Sequence, residues 1–162
     1  LLADLAAEPP TRVPGTAIFM YGSADGTPPA LVHNLAHNKV LHEKVVFLTI
    51  VTEDVPHVAG EDRVMMKRLG KGFHAVKARY GFMQDPDIQE VLDACKAKGI
   101  DIRIEGTTFF LGRETLIASD RPGMAQWRER LFAVLSRNAL RATAFFKIPP
   151  NQVFEVGAQV EL

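Results

Sequence analysis

A chain of 162 residues with 47% hydrophobic and 23% charged residues is sized for one domain, and that length buries roughly two-thirds of the unfolded surface. Lys and Arg total 19, as do Asp and Glu; the balance lacks the cationic excess of a nucleic-acid binder and gives no polybasic patch for an anionic membrane surface. The single cysteine, Cys95, excludes an internal disulfide and fits a reducing cytosol, and no run reaches the roughly 20 apolar residues that span a bilayer.

The opening LLADLAAEPPTR carries acidic residues where a secretory leader needs basic ones and has no initiator Met, so the chain reads as starting mid-sequence. Leu1, Leu2 and Leu5 share a face and continue an incoming helix over Leu1–Ala7. Pro9 and Pro10 stop it, and residues 1–14 are expected to be a linker, with the domain proper spanning residues 15–162.

Thr16–Tyr21 is a short apolar run that predicts a buried first strand. Gly22–Pro29 is a turn cluster in which Thr27 can cap a helix over Ala30–His42, with Pro28 or Pro29 in its first turn. Lys44–Val51 is continuous and β-rich, as a strand covered on both faces must be. Arg63–Leu69 and Phe73–Tyr80, joined by Gly70-Lys71-Gly72, predict a hairpin. Asp85-Pro86-Asp87 opens a helix to Lys98 with Ile88, Val91, Leu92 and Cys95 inward and Gly99 ending it.

Ile100–Ile104 and Thr107–Leu111 predict short strands, with Glu114–Ala118 continuing or pairing with the second and a bulge at Gly112. A last helix spans Met124–Ala139, its stripe formed by Trp127, Leu131, Val134 and Leu135. Ala142–Phe146 adds a short turn, Pro149-Pro150 breaks it, and Gln152–Val160 alternates as a terminal edge strand. The order β-α-β-β-β-α-β-β-α-β predicts the α/β class: a mixed β-sheet with helices packed on its faces, in a single domain without internal repeats.

Four groups invite a chemical reading. Gly22, Ser23, Asp25, Gly26 and Thr27 sit between a buried strand and a helix, where backbone N–H groups hold a phosphate; the loop is neither GxGxxG nor a Walker motif, and an ordinary β-to-α turn explains it as well. His33 and His37 lie one helical turn apart with His42 following, a spacing for metal, but a polar helix face has the same pattern and no metal site is assigned. Glu53-Asp54, Glu61-Asp62 and Glu114 are acids that solvated loops commonly carry. Arg113 either braces neighbouring acids or faces a partner. No Gly-x-Ser-x-Gly elbow and no other catalytic constellation occurs, so no enzyme activity and no cofactor is expected.

Three segments, Gly15–Pro56, Phe73–Ile88 and Phe109–Leu162, carry motifs in a characteristic order: FLGRET from Phe110, RPGM from Arg121, Trp127, SRN from Ser136, and IPP from Ile148. In these the chain resembles the C-terminal part of the KUP (HAK/KT/KUP) potassium uptake transporters. The resemblance implies a regulatory and assembly domain on the cytoplasmic face of the inner membrane, belonging to an H⁺-coupled K⁺ importer. Its implied partners are the transmembrane domain of the same transporter and a second copy in a homodimer. Some related importers bind cyclic di-AMP through cytosolic domains, which makes a nucleotide-sensing module (cyclic di-AMP or an adenine nucleotide, on the Gly22–Thr27 loop) the alternative. The family's ion-coordinating residues belong to membrane helices, so none is carried over to this chain.

Overall fold

The computed structural model describes residues 10–22, 26–117 and 146–161, with side chains described for all of these except 113–117 and 158–161. Within them the elements are β1 (Thr11–Met20), α1 (Pro29–Asn38), β2 (Val40–Glu53), β3 (Val64–Gly70), β4 (Phe73–Gly81), α2 (Ile88–Ala97), β5 (Thr107–Ile117) and β6 (Val153–Glu161). One sheet runs β3-β4-β2-β1-β5-β6. Every pair is parallel except β3 with β4, so the sheet is mixed, as expected for the α/β class.

Period-two alternation sorts the apolar side chains between two cores. Ile18, Met20, Val46, Leu48 and Phe109 point to the face covered by α2, where they meet Ile88, Val91, Leu92 and Cys95. Ala17, Phe19, Val45, Phe47 and Phe110 point the other way, under Ala30 and Leu31 of α1. Phe19 and Phe110 stack there at 4.5 Å.

The hairpin forms where Gly70-Lys71-Gly72 places it. Gly72 has φ +83°, and a Cβ on it would lie 2.3 Å from the Glu43 carbonyl oxygen, so both conformation and space demand glycine. The α2 stripe also matches expectation, with the Asp87 side chain capping its first turn through the Gln89 N–H at 2.9 Å and Gly99 following at φ +88°.

Four local expectations need correction. α1 ends at Asn38 instead of reaching His42: Lys39 turns left-handed (φ 56°), and buried Asn34 donates to the Val40 carbonyl at 2.9 Å, so Leu41 and His42 enter β2. β1 begins five residues ahead of Thr16, because a register shift between Val13 and Thr16, with Gly15 at φ +107°, carries Pro14 through the ladder. Arg12 secures that extension by donating to the His42 carbonyl at 2.7 Å.

Ile100–Ile104 forms no strand. Ile100 and Ile102 are buried, but both sides of β1 are already occupied by β2 and β5, and the segment closes instead through the Thr107 N–H to Ile104 bond and the Thr107 hydroxyl to Arg103. Gly112 is not a bulge: β5 and β6 keep one register from Phe109↔Val153 to Ile117↔Glu161. Within that register Glu114 and its neighbours continue β5, and β6 is an edge strand. The expected helices over Leu1–Ala7 and Met124–Ala139, with Trp127, lie outside the described residues, as does most of Ala142–Phe146.

Candidate functional site

Open parallel sheets place ligands outside the carboxyl ends of their strands. Here the ends of β1, β2 and β5 border a cleft of about 220 Å³ lined by Met20, Tyr21, Gly22, Leu48, Ile50, Leu111, Gly112 and Phe146. The wall is largely apolar, and among the described residues no Lys or Arg lines it. The Tyr21 N–H donates to the Leu48 carbonyl at 3.2 Å, and its hydroxyl donates to the Gly26 carbonyl at 3.3 Å, pulling the loop across the strand end.

Of the loop residues, Gly22 lines the cleft, Gly26 holds φ +99°, and Thr27 is half-buried; Ser23, Ala24 and Asp25 lie outside the described residues. Thr27 does not cap α1: the cap position is Pro28, with no side-chain hydrogen bond. Pro28 and Pro29 have no N–H, and the Leu31 and Val32 N–H groups both bond the Pro28 carbonyl. Of the first helical donors, the Ala30 N–H has no partner among the described residues, so α1 offers at most one backbone donor to this loop.

The histidines separate. His33 and His37 are exposed on α1 with their rings parallel, 6.2 Å apart. His42 sits on β2, edge-on to Phe110 at 6.1 Å, its pKa lowered by burial. Among the described residues no three His, Cys, Asp or Glu side chains converge as a metal site would require. The acids separate as well: Glu53 accepts from Arg79 Nε at 2.7 Å, whereas Asp54, Glu61 and Asp62 are exposed. Arg113 pairs with Gly157 and Glu114 with Ala158 in the β5–β6 ladder, their side chains outside the description.

A second constellation lies at the carboxyl ends of β2 and β4. The Phe82 N–H donates to the Val55 carbonyl at 2.9 Å, and the Met83 N–H to that of Pro56 at 3.2 Å. Gln84 Oε1 accepts from the Val58 and Gly81 N–H groups, both at 2.8 Å, while its Nε2 donates to the Val58 carbonyl at 3.3 Å. Arg63 braces the same loop, paired with the Glu90 carboxylate, donating to the Val58 carbonyl at 3.4 Å and lying over the Tyr80 ring at 5.0 Å. Sequence reasoning missed Arg63, Gly81 and Gln84. The available signal was Phe82-Met83, two large apolar residues placed in a turn.

Titration follows packing. Burial pushes the Cys95 thiol up to about 11 and raises the Tyr80 phenol. Partial burial works to raise the Asp87 carboxyl, but hydrogen bonds from Lys147 Nζ, at 3.1 Å, and from the Gln89 N–H outweigh it and hold it below the usual carboxylate range. Burial lowers the His74 imidazole, helped by the nearby charges of Arg68 and Lys44.

Comparison with known proteins gives one consistent result. The family model described as the K⁺ potassium transporter C-terminal domain matches residues 14–162. A probable potassium transport system protein Kup of Myxococcus xanthus is 62% identical over 162 residues, which are 100% of this chain and 25% of that protein. A probable potassium transport system protein Kup 1 of Geobacter sulfurreducens is 54% identical over 162 residues, 99% of this chain and 26% of that protein. A third, Kup 1 of Paramagnetospirillum magneticum, is 56% identical over 151 residues. The chain spans about a quarter of the length of the curated relatives it matches. No solved structure matches it.

Proposed function

The chain belongs to the K⁺ potassium transporter C-terminal domain family, and from that premise we propose that it is the regulatory and assembly domain of an H⁺-coupled potassium importer. The family match over residues 14–162 carries this reading, together with relatives named as potassium transport proteins of which the chain covers about a quarter. Among the described residues no helix is long and apolar enough to cross a membrane. The reading therefore assigns the ion path to the rest of the parent protein. The domain sits at the cytoplasmic face of the inner membrane, touching the membrane-spanning part and a second copy. To regulate, it must bind those partners with different free energy in two transport states.

Deleting the domain from the full-length protein and measuring K⁺ uptake tests the role directly. We expect the truncated protein to reach the membrane with uptake, or the response of uptake to K⁺ supply, altered. Unchanged uptake and unchanged regulation would remove the regulatory role, and a parent protein that moves no K⁺ at all would remove the transporter reading itself.

A further inference from the structure

We propose that Val55, Phe82 and Met83 form a docking surface for the Lys/Arg-rich cytoplasmic loops of the membrane-spanning part of the same polypeptide, an inference that rests on the transporter reading above. All three are far more exposed than the packed residues around them, at 46%, 61% and 67%, while Val58, Tyr80 and Gly81 beside them in the chain are buried. Their backbones are held side by side, because the Phe82 N–H bonds the Val55 carbonyl and the Met83 N–H bonds that of Pro56.

The patch is held stiffly. Gln84 ties the Val58 and Gly81 backbones together, and Gly81 lies so close to the loop that a Cβ would stand 2.2 Å from the Pro56 oxygen. Large apolar groups presented on a rigid turn bind without a large ordering cost.

Charge selects the occupant. Residues 53–62 and 81–90 contain Glu53, Asp54, Glu61, Asp62, Asp85, Asp87 and Glu90 but no Lys or Arg. Glu53, Asp87 and Glu90 are neutralised by Arg79, Lys147 and Arg63. Asp54, Glu61, Asp62 and Asp85 are exposed and have no ion-pair partner among the described residues. An apolar centre with an acidic rim complements an apolar site with a basic rim. Membrane proteins concentrate Lys and Arg in their cytoplasmic loops. The same rim repels an anionic leaflet, and two copies meeting through this patch about a twofold axis would set acids against acids. Because the partner is on the same polypeptide, effective concentration lets a small patch suffice.

The test uses the full-length transporter in membrane vesicles, with other accessible thiols replaced. Met83→Cys is compared with Lys98→Cys, an exposed position at the opposite end of α2 from the patch. A hydrophilic maleimide should label the Met83 position at least about tenfold more slowly than the Lys98 position, and the charge reversals Asp54→Lys and Asp85→Lys should restore fast labelling. A photo-crosslinker at position 83 should form its adduct on a Lys/Arg-bearing loop between membrane spans. Equal labelling rates, or an adduct on lipid or on a second copy, would overturn the docking. K⁺ uptake measured in the same vesicles reports on the transporter reading separately.

Discussion

Gly81 shows how a single residue sets the carboxyl end of the sheet. Its backbone φ is not in the left-handed region, so conformation does not require glycine; space does, because a Cβ would meet the Pro56 oxygen at 2.2 Å and the His57 nitrogen at 2.5 Å. Both obstacles are backbone, which cannot swing aside as a flexible side chain would. Gly81→Ala should therefore cost about 1–3 kcal/mol, as overpacked sites do, seen as a lower denaturant midpoint at unchanged slope. Gly112→Ala should be nearly silent in the same measurement, since nothing among the described residues lies within 4 Å of its added Cβ. This pair inverts what the sequence suggests, because the sequence marks Gly112 as a backbone irregularity inside a strand and gives no such signal at Gly81. Steric need at a glycine comes from a segment some 25 residues away in the chain, and no local pattern encodes it.

At the scale of elements, α2 was legible almost residue for residue and α1 was not. α2 has a capping Asp87, a stripe at Ile88, Val91, Leu92 and Cys95, and a following Gly99, all local signals that act within one or two turns. Asp87→Ala should lower stability by about 1 kcal/mol through loss of the cap. The loss should fade in acid, measured as the difference in unfolding midpoint between the two proteins against pH. The folded carboxyl titrates below its unfolded value, so its contribution is full above an unfolded pKa of about 3.9 and disappears as pH falls through the folded value. A deficit unchanged at low pH would show that the cap works without its charge. The end of α1 is decided differently. Leu41 fits the apolar spacing of a longer helix, but the Asn34 bond to Val40 and the ladder of β2 on β1 draw it into the sheet.

For the whole molecule, stability should follow the two half-buried imidazoles. His42 and His74 lie on β2 and β4, and Nδ1 of each is buried without a hydrogen-bond partner among the described residues. Their folded pKa values lie below 6.5, so the unfolded chain takes up protons first. Stability should be level above about pH 7 and fall as pH drops below about 6.5, the loss being complete once pH is under the folded values. The thermal midpoint against pH checks this, and a His42→Gln, His74→Gln protein should flatten the decline between about pH 6.5 and 5. A decline unchanged in that double variant would place the proton uptake elsewhere.

What the sequence determined alone was everything carried by near neighbours and by family resemblance: the α/β class, the hairpin at Gly70–Gly72, the core stripe of α2, and membership in the potassium transporter family. These follow from side-chain period, turn chemistry and motif order, each written within a few consecutive residues. The tertiary structure alone decided the strand order β3-β4-β2-β1-β5-β6, the exclusion of Ile100–Ile104 from the sheet, and the clamp of Gln84 on Val58 across 26 residues. Such choices depend on which edges are already taken and which backbone groups remain unbonded, and those are fixed only when distant segments meet.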